Sequence, residues 1–142
     1  MQEQNFQNHS KYVLGYHVIT SMLLLGALIT AIIYTVKNGS EQVLLATNLL
    51  LIVGTLLGLF WYARAFALRA QDRAIRAEEN LRYFALTGKL LPSNLRMGQI
   101  IALRFAPDEE LLALVERAVS EALSAKEIKQ AIQNWKPDYH RA

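Results

Sequence analysis

The stretch LLGLFWYARAFALRAQDRAIRAEENLRYFAL, residues 56–86, decides how the rest of this chain is read. It begins apolar and becomes crowded with Ala, Arg and Glu, yet neither Gly nor Pro occurs from Leu59 to Thr87. Ala, Leu, Arg, Glu and Gln are strong helix formers, and nothing in the run supplies a turn. One uninterrupted helix over 43–87 is therefore predicted, roughly 68 Å long at 1.5 Å per residue. Gly88 stands where a left-handed C-terminal cap would fall. The two halves of this helix suit different solvents.

Working outward, 25 residues between Lys11 and Lys37 and 22 between Glu41 and Arg64 contain no Asp, Glu, Lys or Arg. Each run meets the roughly 20-residue length needed to cross a hydrocarbon core. Two buried helices of a soluble bundle are the competing reading, but they would need a surrounding core that the rest of a 142-residue chain can hardly supply. The first run also exceeds the apolar core of a signal peptide and lacks a small-residue cleavage site, so it is read as an uncleaved anchor.

Charge sets the expected orientation. Residues 64–142 carry 13 Lys or Arg against 10 Asp or Glu, while the KNGSE loop at 37–41 offers only Lys37 as a cation. Arg64, Arg69, Arg73 and Arg76 follow the second apolar run closely, and such residues favour the cytoplasmic side. Both termini are expected in the cytoplasm. Tyr12, Tyr16, Trp61 and Tyr62 fit one interface and Tyr34 the other. The same arginines are candidates for contact with lipid head groups.

Within the long helix, steps of three and four residues align Leu49, Val53, Leu56, Phe60, Ala63, Ala67, Ala70, Ala74, Ala77, Leu81 and Phe84 on one seam. Ala63, Ala67, Ala70, Ala74 and Ala77 either supply helix propensity alone or permit close approach of the tail or another copy. Gly54 and Gly58 form a GxxxG pair, and Ala27 with Ala31 forms a second small-residue pair, both suited to close helix packing in lipid. Asp72 to Arg76 and Glu78 to Arg82 have the spacing of helical ion pairs.

Beyond Gly88 three short helices are expected. Ser93 or Asn94 would cap the first, bearing Leu95, Ile100, Ile101 and Phe105. Pro107 opens the second, with Asp108, Glu109 and Glu110 in its first turn and an apolar stripe of Leu111, Leu112, Val115, Ala118, Val119 and Ala122. Ser124 and Glu127 match a capping box, beginning a third helix carrying Ile128, Ala131, Ile132 and Trp135. Leu111, Val115, Val119, Ile128, Ile132 and Trp135 are the candidate tail core.

Catalytic signals are sparse. The chain has no Cys, and His9, His17 and His140 match no local metal motif. Ser10, His17 and Asp72 lack a nucleophile-elbow context. Phosphate-binding and dinucleotide fingerprints are absent from the sequence, so no catalytic residue, metal or cofactor is expected.

QEQNFQNHSKYV near the start, DRAIRAEENLRYFALTGKLL after the second apolar run, and QIIALRFAPDEEL and LSAKEIKQAIQNW in the tail resemble an uncharacterised family of small bacterial two-span inner-membrane proteins with a cytoplasmic helical tail. That resemblance implies a bacterial inner-membrane location and a shared architecture. It implies no activity.

The expectation is an all-α protein: a cytoplasmic N-terminal segment at 1–11, a transmembrane hairpin at 12–63, and a cytoplasmic stalk and tail at 64–142. A membrane-anchored scaffold or accessory subunit, contacting lipid and assembling as a homo-oligomer or within a larger complex, fits best. An oligomeric channel or transport component is one alternative, and a membrane-tethered nucleic-acid-binding protein is another. Specific nucleic-acid recognition is not expected, because the basic residues already have a topological role.

Overall fold

A computed structural model describes Asn5, Phe6 and residues 12–138. The fold is all-helical, with two long helices followed by three short ones and no sheet among the described residues. A π-helical segment, Gly15–Thr20, runs directly into α1, Ser21–Asn38. Then come α2 (Val43–Thr87), α3 (Met97–Leu103), α4 (Asp108–Ser120) and α5 (Ala125–Ala131). The continuous α2 has the limits expected of a run without Gly or Pro, and Gly88 follows with φ +72°. The Gly88 N–H closes the last turn on the Phe84 carbonyl at 2.7 Å.

The chain divides into two compact units, Lys11–Ala67 and one containing Leu68–Ala142. The first holds two helical runs long and apolar enough to cross a membrane by length and composition, and little of either is buried. Its packing uses small side chains: Ala31, Ala46 and Val53 are buried, while Leu23, Val36, Leu44 and Leu51 stay exposed. At one end Tyr16 stacks on Phe60, ring centres 4.3 Å apart, and its hydroxyl donates to the Phe60 carbonyl at 2.7 Å. At the other, the Gln42 N–H returns to the Asn38 carbonyl at 2.8 Å, closing the turn between α1 and α2. Hydroxyls of Thr30, Thr35 and Thr55 donate to carbonyls one turn earlier, so each is satisfied without leaving its helix.

The second unit inverts that arrangement. Phe105, Ile100, Leu103, Leu111, Ile128 and Val115 are its largest fully buried side chains. Burying such a side chain contributes about 1.5–3 kcal/mol. Leu111, Val115, Ile128 and Ile132 are buried, and Val119 and Trp135 pack against the same cluster. The deepest positions, Ile100, Leu103 and Phe105, lie on or beside α3, an element too short to show a helical period.

Several boundaries differ from the sequence pattern. Neither Ser93 nor Asn94 caps α3; it begins after Arg96, whose N–H donates to the Gln99 side chain at 2.8 Å. Pro107 is the extended residue before α4, and α4 ends at Ser120, with Ala122 at φ 52°. Ala122 therefore lies outside the α4 stripe, where Leu114 is the buried residue and Leu112 is exposed. The Ser124 and Glu127 capping box does form, with the Ser124 N–H donating to Glu127 at 2.6 Å. However, α5 stops at Ala131. The Glu110 carboxylate accepts from the N–H groups of Gln133 and Asn134, both at 2.9 Å, drawing the chain out of the helix. Trp135 then reaches the Phe105 ring from an extended segment, 5.0 Å between centres.

Candidate interaction site on the charged half of α2

One face of the second unit's α2 segment is occupied by the tail. Ile75 and Glu79 are buried there, Tyr83 packs on the core, and the Asn80 side chain accepts from the Leu91 N–H at 3.1 Å. Arg82 joins the elements. Its Nε donates to Asp108 at 2.6 Å, Nη1 to Glu79 at 3.1 Å and Nη2 to the Ala106 carbonyl at 2.8 Å. The expected Glu78 to Arg82 pairing gives way to this set, because the planar guanidinium can serve three acceptors on two elements at once. Charge-assisted bonds of this kind are stronger than neutral ones.

Beside the clamp lies a cleft of about 200 Å³, lined by Gln71, Ile75, Glu79, Arg104, Lys136 and Asp138 among others. Arg104 is buried, pairs with Asp138 at 3.2 Å and places its guanidinium carbon 4.6 Å from the Phe105 ring centre. The charges lining this cleft hold the tail together. A lone Arg within LRFA and a Gln within GQII were the available signs in sequence of buried polar roles. Gln99 donates to the carbonyls of Ala118 and Leu123, at 3.3 and 2.8 Å, tying α3 to the end of α4.

Titration is perturbed at the tail's fastening points. Partial burial works to raise the Glu110 pKa, but the Gln133 and Asn134 hydrogen bonds together outweigh it and hold the carboxyl below its ordinary range. Hydrogen bonds from Ser124 lower that of Glu127, and the Glu121 carboxylate raises that of Arg117. These groups fasten helix ends and lie outside the cleft. Among the described residues no group of three or more His, Asp or Glu is placed to hold a metal ion. His17 is half-buried and stacks on Tyr12, while Ser10, His9 and His140 lie outside the described residues.

The other face of α2 has no such cover. Ala63 and Ala67 in the first unit, and Ala70, Ala74 and Ala77 in the second, are exposed. Leu81 and Phe84 extend this face at 69% and 50% exposure, so the tail lies on a different side of the helix from the seam. Arg69, Arg73 and Arg76 are exposed, whereas Arg64 is half-buried with its guanidinium carbon 5.6 Å from the Tyr16 ring centre. Gly54 and Gly58 lie away from the α1 contact: a Cβ at either would meet nothing within 4 Å. Of the other small pair, Ala31 is buried and Ala27 half-buried.

A family model described as a family of unknown function, DUF6526, matches residues 1–142. No curated protein and no solved structure matches the chain.

Proposed function

The chain belongs to that family, and on this premise we propose that it is a bacterial inner-membrane scaffold or accessory subunit, with α2 as the element through which it assembles. The uncovered apolar face of α2 carries this reading. Ala70, Ala74, Ala77, Leu81 and Phe84 are exposed on a helix that already carries its own folded tail. A water-facing side chain as large as Phe84 or Leu81 has an apolar area whose burial is favourable, and alanines between them admit a closely approaching partner helix.

The two apolar helical runs are proposed as a hairpin with both termini cytoplasmic. Support comes from large apolar side chains exposed around both runs, for which lipid is the matching solvent, and from threonine hydroxyls satisfied inside their own helices. Arg64, Arg69, Arg73 and Arg76 would then lie at the cytoplasmic surface, near anionic head groups.

The test uses membranes containing the full-length chain. The protein should stay in the pellet after an alkaline wash, and the tail should be cleaved by protease only when the cytoplasmic side is accessible. Replacing Ala70 and Ala74 together with Leu should change the mass of the extracted complex. Release by the alkaline wash would reject the membrane hairpin, and an unchanged complex would reject α2 as the assembly element.

A further inference from the structure

Resting on the scaffold reading above, we infer that the uncovered face of α2 is occupied by a second copy of this chain, parallel and in register, with Arg73 of each copy facing Glu78 of the other. The charge pattern selects this occupant. Ala67, Ala74 and Leu81 alternate with Ala70, Ala77 and Phe84 in the three-four spacing of a two-helix seam. Arg73 and Asn80 flank the seam on one edge, and Gln71 and Glu78 flank it on the other. In a parallel pair, a residue on the first edge meets the partner residue five positions further on the second edge. That rule joins Arg73 to Glu78, opposite in sign, and Asn80 to Ala85, with no like-charge contact. Two-fold symmetry forms the ion pair twice.

The state of these side chains agrees. Arg73 and Glu78 are exposed, and neither has an ion-pair partner among the described residues. The other glutamate of the Glu78–Glu79 pair is buried and bound to Arg82, so the two neighbours divide between the chain's own tail and the open face. Orientation follows from anchorage. Two copies inserted in one membrane with the same topology present α2 in the same direction, which makes the parallel pairing the accessible one. Confinement also raises the effective concentration, offsetting the small area that each alanine buries.

The absence of Cys gives a clean background for the test. Full-length chains in lipid bilayers, each carrying one Cys, are oxidised: Ala77→Cys on the seam, and Ala113→Cys on an exposed position of α4. Covalent dimer should form mainly from Ala77→Cys. Arg73→Glu or Glu78→Arg alone should lower the dimer fraction by roughly tenfold, as two attractive pairs become repulsive, and the combined reversal should restore it. Tail protease resistance should be unchanged in all three charge variants, since both positions are exposed.

Equal crosslinking at the two Cys positions, or no recovery in the double reversal, would overturn the second copy as occupant. If Ala77→Cys instead crosslinks only to a different protein, and Ala70→Leu with Ala74→Leu removes that protein, the scaffold reading stands while this inference fails. Loss of neither association in any variant would remove both.

Discussion

The apolar helices of the first unit and the tail helices of the second obey opposite packing rules. In the first, small residues such as Ala31 and Ala46 are inside and Leu44 and Val36 are outside, at 82% and 81% exposure. In the second, Phe105 and Ile128 are fully buried and charges occupy the periphery and the helix ends. The contrast shows what each unit expects around it. Water drives large apolar groups inward, whereas an apolar solvent removes that drive and leaves close van der Waals contact to favour small side chains at the helix contact.

The contrast is broken most forcefully at the centre of the tail. Phe105→Ala should destabilise the tail by about 3–5 kcal/mol, read as lost protease resistance and an earlier thermal transition. Leu44→Ala, at an exposed position, should leave the tail transition where it was. Equal losses would end the distinction between the units.

A smaller loss tests whether polar contacts fasten the tail. Arg82→Ala removes contacts to Asp108, Glu79 and the Ala106 carbonyl and leaves Glu79 buried without that cation, for a cost of about 2–3 kcal/mol. Arg82→Lys should recover only part of it, since an ammonium cannot reproduce the planar three-acceptor geometry. Hydrogen exchange of the Asp108–Ser120 helix would register both changes.

Next in size, Glu110→Gln should cost about 1 kcal/mol near neutrality, because a neutral amide accepts less strongly from Gln133 and Asn134. The lowered pKa of Glu110 determines the sign with pH. Its contribution is complete above the unfolded carboxyl pKa of about 4.3 and is lost as pH falls through the lower folded value. Unfolding measured across acidic pH should therefore fall less steeply for the Gln variant than for the native chain.

Ala122→Gly should act in the stabilising direction by about 0.5–1 kcal/mol, since φ 52° strains an alanine and suits a glycine. The smallest effect belongs to the first unit. Gly54→Ala should shift its unfolding by less than about 0.5 kcal/mol, because an added Cβ meets no neighbour within the chain. A large loss would show that Gly54 is packed in the assembled protein.

The most legible elements were those governed by local chemistry. Fifty-odd residues of periodic, charge-segregated sequence specify α2 and its glycine cap, and Ser124 with Glu127 marks the start of α5, because helix propensity and capping depend on neighbours along the chain. Less legible were the end of α5, the burial of Arg104 and the clamp at Arg82. Each depends on a partner far away in sequence: Gln133 turns outward because Glu110 receives it, and Arg82 prefers Asp108 to Glu78 because the tail brings that acceptor within 2.6 Å.

The seam divides in the same way. Its three-four spacing and its alanines were determined by sequence alone, as were the two apolar runs and the all-helical class. Which side of α2 the tail would take was decided by tertiary structure. Ile75, Glu79 and Arg82 meet complementary apolar and charged groups of the tail, and the alanines offer neither enough area nor any charge to compete for it. That leaves Ala70, Ala74, Ala77, Leu81 and Phe84 open to another helix.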